Sequence, residues 1–292
     1  MAITAQDVKS LRDRTGAGMA DCKKALEEAG GDMDGAIEIL RKKGAATAAK
    51  RADKAANEGV VATAVSDDRH RAAIVEVNCE TDFVARNEEF SSFTRKLAAH
   101  VLNNEPASMD ALLASEMEGK TVQTWLNELL GKFSERIEIK RFDVVKTEGG
   151  VVADYVHNGD KLAVLVELTD SDGETTGTLG RDIAMQIAAM NPSYVRREHV
   201  PESVLDKERE IYREQVLNEG KKPEFADKII NGRIEKYFAD ACLMEQTFVK
   251  DSTKLIRDIL ADLSKNAGRD ISVVRFMRYN LGESAPADTS AE

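Results

Sequence analysis

The sequence contains a diverged copy of part of itself. Val60–Asn78 reads VVATAVSDDRHRAAIVEVN and Val151–Thr169 reads VVADYVHNGDKLAVLVELT. The two stretches align without a gap at an offset of 91 residues, with seven identities in nineteen positions. Val60/Val151, Val61/Val152, Ala62/Ala153, Val65/Val156, Ala72/Ala163, Val75/Val166 and Glu76/Glu167 match. Each stretch reads as two strands joined by a polar turn, DDRH or HNGD, which is a hairpin pattern. A helical stretch follows in each, Phe93–Val101 and Asp182–Met190. A second match, at an offset of 134, relates RIEIKRF (Arg136–Phe142) to DISVVRF (Asp270–Phe276). Both follow an apolar helical pattern, Trp125–Phe133 and Leu255–Leu263. Each half is therefore predicted as strand–strand–helix–helix–strand, and the chain as an α+β protein with a duplicated core.

The two offsets differ by 43 residues, so the second half carries extra chain of that size. Glu202–Phe238 supplies it: two charged helical patterns separated by Gly220 and Pro223, predicted as a helical hairpin inserted in the second half. Its apolar seam (Val204, Leu205, Ile211, Val216 and Phe225, Ile229, Ile230) can be filled by self-packing or by an intermolecular contact. After Leu281 the composition GESAPADTSAE cannot bury a core, and a frayed tail is expected.

Ahead of the duplication lie three short helical patterns. Thr4 caps the first, with Asp7 as the third helical residue, Val8 and Leu11 facing inward, and Gly16 as its stop. The second fits Met19–Ala29, with Cys22, Ala25 and Leu26 inward and Gly30-Gly31 as its stop. Asp32 caps the third, with Ala36, Ile37 and Leu40 inward and Gly44 closing it. Three such helices form a small bundle, marginal alone on surface-to-volume grounds and suited to docking. In the first connection, Gly16 and Gly18 bring the backbone within reach of a partner, and Met19 follows as an adaptable apolar side chain. Met19 in the bundle core is the alternative. Lys42–Lys54, rich in Ala, Lys and Arg, reads as a solvated linker helix or as a basic contact strip.

The whole chain has 41 Lys and Arg against 52 Asp and Glu, a net charge of −11. Phosphate backbones are bound by clustered cations, so direct nucleic-acid binding is not expected. No apolar run approaches the roughly 18–20 residues that span a bilayer, and no signal-peptide segment is visible. The three cysteines (Cys22, Cys79, Cys242) are far apart, which fits neither a disulfide framework nor a zinc site and points to a reducing cytoplasm. The nucleotide loops GxxxxGK[ST] and GxGxxG are absent, as are HExxH and GxSxG. The histidines (His70, His100, His157, His199) are scattered. The reading is therefore of no catalytic residue, no metal ligand and no cofactor, and the search moves from chemistry to binding.

The two copies differ most just after their second strand. The first continues Asn78-Cys79-Glu80-Thr81-Asp82-Phe83-Val84-Ala85-Arg86-Asn87, the second Thr169-Asp170-Ser171-Asp172-Gly173-Glu174-Thr175, which has no aromatic residue. One copy thus sets an acid and a bulky ring between a strand end and a helix start. Either Asp82 or Asn87 caps that helix and Phe83 is a hydrophobic staple, or the loop is a contact site.

RTGAGM (Arg14–Met19), DCKKAL (Asp21–Leu26) and VNCETDFVARNEEF (Val77–Phe90) resemble the elongation factor Ts family of bacterial translation. The likeness extends over nearly the whole chain. It implies an α+β fold with a ubiquitin-associated-like three-helix bundle, duplicated α/β core subdomains and a coiled-coil hairpin inserted in the second. With the pattern above it divides the chain into a partner-docking domain (1–55), a first core subdomain (56–146), and a second core subdomain (147–200 with 240–268). A hairpin for dimerisation (201–239), a C-terminal module (269–283) and a disordered tail (284–292) complete it. The family implies guanine-nucleotide exchange on GDP-bound elongation factor Tu in the cytoplasm. It assigns Thr81, Asp82, Phe83 and Val84 to disturbing the partner's Mg²⁺ site, and Arg12, Met19 and His157 to other partner contacts. It leaves the oligomeric state open between a homodimer and a 2:2 assembly with the partner. Glu80 departs modestly, an acid where a neutral amide also occurs. Two other readings compete with exchange: a scaffold whose bundle holds ubiquitin-like or nascent-chain ligands, and an enzyme with an unrecognised carboxylate site.

Overall fold

The computed structural model describes residues 3–51, 53–169, 173–220 and 222–283. The architecture is α+β. Its contacts fall into two compact units. One holds the residues up to Ala64, Ala73–Val144 and Asn280–Glu283; the other holds Val65–Ala72 and Val145–Tyr279.

The first unit opens with helices α1 (Ala5–Thr15), α2 (Met19–Glu28) and α3 (Met33–Arg51). Thr4 and Asp7 form the reciprocal cap: the Thr4 hydroxyl accepts from Asp7 N–H at 3.2 Å and the Asp7 carboxylate accepts from Thr4 N–H at 2.9 Å. Gly16, at φ 68°, ends α1 in the left-handed region. Asp32 caps α3 by accepting from Gly35 N–H at 2.9 Å. Val8, Leu11, Ala17, Cys22, Ala25, Leu26 and Ala36 form the bundle core.

The expected stop at Gly44 is wrong: α3 runs on to Arg51. Gly44 is there for close approach. A Cβ on it would lie 2.5 Å from the carbonyl oxygen of Asn127 and 3.7 Å from Gly131 Cα, on a helix of the core that α3 crosses. A helix interior tolerates glycine at a cost of about 1 kcal/mol, which tight packing against a second glycine offsets. The helical part of Lys42–Lys54 therefore ends in a contact: Arg51 pairs with Glu80 at 2.6 Å.

The rest of this unit runs β1 (Glu58–Val65), β2 (Arg71–Cys79), the one-turn helix α4 (Asp82–Ala85), α5 (Glu88–Asn104), α6 (Met109–Ala114), β3 (Glu116–Met117), β4 (Lys120–Thr121), α7 (Val122–Phe133) and β5 (Ile137–Lys146). The sheet order is β1-β2-β5. From the central strand β2, Ala73, Val75, Val77 and Cys79 enter a core with Phe90, Leu97 and Val101 of α5 and Leu126, Leu129 and Leu130 of α7. Alternate residues Ile74, Glu76 and Asn78 are buried as well, which accounts for the nearly continuous apolar run of this strand.

The second unit repeats the plan: β6 (Val151–Val156) and β7 (Leu162–Leu168) form an antiparallel hairpin, with Val151 opposite Leu168 and Val156 opposite Ala163. Helices α8 (Gly173–Met190), α9 (Glu202–Asn218) and α10 (Pro223–Ala241) follow. Then come β8 (Thr247–Phe248), β9 (Asp251–Leu255), α11 (Ile256–Ala267) and β10 (Val273–Asn280). The sheet order β10-β7-β6 again places the second strand of the half in the centre. The 134-residue shift carries Val122–Phe133 onto Ile256–Ala267, so α7 and α11 are equivalents with identical bounds. The two-residue strands β3, β4 and β8 were not expected, because a pair of residues shows no alternation.

The duplication also repeats an ion pair. Arg141 Nε donates to Glu76 at 2.7 Å and Arg275 Nε to Glu167 at 2.8 Å. The second contact of each arginine is matched too: Arg141 Nη2 donates to the carbonyl of Asn280 at 3.3 Å and Arg275 Nη2 to that of Lys146 at 3.4 Å.

In the hairpin of α9 and α10, Leu205, Val216 and Ile230 are buried, and Val204 and Ile229 are partly so. Ile211 and Phe225 stand exposed. Self-packing thus takes most of the seam, tied by Arg233 to Gln215 (2.8 Å) and Glu219 (2.7 Å). The tail expected to fray, residues 284–292, lies outside the described residues, as do Asp170–Asp172 of the second loop.

Candidate functional site

The loop after β2 is built from its anchors outward. Cys79 is fully buried, and burial, with Glu135 and Glu58 nearby, pushes its thiol up to about 12. It therefore stays a thiol and donates to the carbonyl of Thr81 at 3.2 Å. Thr81 caps α4. Val84 and Ala85 turn inward and are buried, while Phe83 points away and is 83% exposed. Asp82 pairs with Arg86 at 3.1 Å on the surface. Asn87 caps α5, accepting from Glu89 N–H at 2.9 Å. The capping is thus done by Thr81 and Asn87, and Phe83 staples nothing. Phe83 is the most exposed of the large apolar side chains among the described residues.

The loop is held from the other side by the segment after α7. Glu135 accepts from Thr81 N–H at 3.0 Å and from the Thr81 hydroxyl at 2.7 Å. Glu80 accepts from Arg136 N–H at 2.6 Å and from Arg51 at 2.6 and 2.8 Å. Burial opposes ionisation of Glu80, but the Arg136 amide and the Arg51 guanidinium outweigh it and hold the carboxyl below its ordinary value.

Arg12 and Met19 flank the turn between α1 and α2, and both are exposed. The Arg12 carbonyl accepts from Gly16 N–H at 2.7 Å. Met19 is 45% exposed, and Ala17 fills the core position, so Met19 is not a core residue. Lys132 of α7 lies against Gly16 and pairs with Glu89, in the first turn of α5. A short chain of contacts therefore links the α1–α2 turn to the helix that begins just after Phe83. His157 belongs to the other unit. It is exposed at the β6–β7 turn, and its Nδ1 lies 2.9 Å from the Tyr155 hydroxyl. The corresponding turn of the first copy is occupied: Val152 N–H donates to Arg69 O at 2.8 Å and Thr147 N–H to His70 O at 3.0 Å.

Sequence reasoning missed Glu135, Glu89 and Lys132. Each acts across 43 to 54 residues of chain, and no local pattern marks such partners. Among the described residues, no helix is long and apolar enough to cross a membrane, and no group of three or more His, Cys, Asp or Glu is placed to hold a metal ion.

The sequence model of a family described as "Elongation factor TS" matches residues 80–283. The chain is 48% identical to elongation factor Ts of Chloroherpeton thalassium over 285 residues, covering 96% of this chain and 99% of that protein. It is 45% identical to that of Prosthecochloris aestuarii (96% and 99% covered) and 46% identical to that of Clostridium perfringens (96% and 93%). Fold and relatives together define a translation elongation factor, a protein of the biosynthetic machinery. Within that class, the chain belongs to the elongation factor Ts family.

Proposed function

We propose that the chain is the guanine-nucleotide exchange factor of elongation factor Tu: it binds the GDP-bound GTPase and promotes GDP release until GTP rebinds. The observation that carries this reading is Phe83, a solvated ring on a turn whose neighbours are anchored on both sides. In this reading Phe83 wedges into the partner's GTPase domain, and burial of the ring contributes roughly 1.5–3 kcal/mol. Asp82 rearranges groups near the partner's Mg²⁺, while Thr81 and Val84 fix the turn. Mg²⁺ bridges phosphate oxygens in such sites, so its displacement weakens GDP. Arg12 and Met19 dock the bundle (1–55) on the same domain, and His157 touches another. The role involves no bond making, and the nucleotide site belongs to the partner. The hairpin (201–239) is available for self-association through Ile211 and Phe225.

Linkage fixes the energetics. A factor that weakens GDP a given number of times is itself weakened by GDP as much. A thousandfold effect is about 4 kcal/mol. The test is release of a fluorescent GDP from elongation factor Tu on adding catalytic amounts of this protein. Strong acceleration is expected; a complex that forms without changing release defeats the proposal.

A further inference from the structure

The two halves share their scaffold, but the residues at the site loop and its anchor differ in type. The ion pair of Glu76 and Arg141 recurs as Glu167 and Arg275, as a fold requirement should. At the positions that grip Thr81 the two halves differ in residue type. The 134-residue shift puts Arg269 and Asp270 where Glu135 and Arg136 stand, and the 91-residue shift puts Ser171 and Asp172 where Glu80 and Thr81 stand. The half that lacks the aromatic ring therefore has an arginine, not a carboxylate, at the position of Glu135.

In the half with the ring, the residue pairs Glu80-Thr81 and Glu135-Arg136 exchange carboxylate-to-amide bonds of 2.6 and 3.0 Å. Thr81 is held at its N–H and hydroxyl by Glu135, and at its carbonyl by the Cys79 thiol. Bonds to ionised acceptors are roughly twice as strong as neutral ones. The helix they anchor, α4, is a single turn, too short to persist on its own. Without the grip, ordering the ring would be left to the encounter with the partner.

We infer that Glu135 is a positioning residue of the exchange site: it fixes Thr81 so that α4 presents Phe83 in one direction. This rests on the exchange reading above. In this inference Glu135 acts through the loop, by its two bonds to Thr81.

The test uses the full chain with Glu135→Ala, read in two ways. Release of fluorescent GDP from elongation factor Tu, measured against factor concentration, should lose roughly tenfold or more in its maximal rate. The half-saturating concentration should change by less than about twofold, because the docking residues are untouched. In the free protein, deuterium uptake across residues 80–86 should quicken on the order of tenfold. Glu135→Gln, which keeps one acceptor oxygen, should recover part of both, and Phe83→Ala should cost little more once Glu135→Ala is present. A wild-type maximal rate, a loss confined to half-saturation, additive effects with Phe83→Ala, or unchanged uptake each overturns the inference. Should the wild-type chain fail to speed release, the exchange reading falls, and uptake alone then decides whether Glu135 holds the loop. If Glu135→Ala does not fold, Glu135→Gln, which leaves the Thr81 cap of α4 in place, carries the same expectations at smaller size.

Discussion

Phe83 stands in solvent between a surface-paired Asp82 and a buried Val84. Its removal deletes no internal packing, so Phe83→Ala should leave folding stability within about 0.5 kcal/mol. If the ring is the wedge, nucleotide release at saturating factor should slow roughly thirtyfold, the equivalent of about 2 kcal/mol. Thermal melting and stopped-flow release check the two halves of that statement. Met19→Ala belongs to the same class. Complex formation by calorimetry should weaken by about 1 kcal/mol or more while the bundle keeps its melting point. Carboxylates set the acid limit. Glu245 is held low by hydrogen bonds from Arg197 and by the charges of Arg197 and Arg257, and Glu80 by the Arg136 amide and Arg51 against its burial. Both therefore bind protons more weakly in the fold than in the unfolded chain. Their stabilisation is complete above the ordinary glutamate value of 4.5 and is lost as the pH falls through the depressed ones. Urea titrations between pH 5 and pH 3 should show Glu80→Gln with a shallower loss of stability than the parent.

Helix α3 shows where a sequence can be read and where it cannot. Its cap at Asp32 and inward Ala36 follow from local chemistry, and both are present. Its end does not follow, because a glycine that stops a helix and one that admits a neighbouring helix look alike in sequence. The distinction lies in Asn127, 83 residues away. Gly44→Ala should cost about 1–3 kcal/mol by forcing α3 off α7; a denaturant midpoint equal to the parent's would contradict the close approach. The site loop divides along the same line. The ring, the acid and the strand-to-helix position were legible from the failure of the two copies to match. That Thr81 rather than Asp82 is the cap, and that Glu135 grips it, depends on a segment half a unit distant. The hairpin seam was legible as an apolar stripe, but which of its members stay exposed depended on the pairing of α9 with α10.

Over the whole molecule, the doubled plan predicts paired but unequal sensitivities. Glu76 is fully buried beside Arg141, whose side chain is 12% exposed, while Arg275 beside Glu167 is 32% exposed. Arg141→Met leaves a buried carboxylate uncompensated and should cost about 3–5 kcal/mol. Arg275→Met should cost less, because 9% of the Glu167 side chain stays in contact with water against 1% of Glu76. Equal losses by chemical denaturation would contradict the difference in burial. Arg141 also donates to the carbonyl of Asn280, and Asn280–Glu283 are part of the first unit. Domains generally mature in the order in which the ribosome delivers them, amino-terminal first. Here the first unit waits for a strand end 139 residues beyond Arg141, so a nascent chain stalled short of Asn280 carries an unfinished first body.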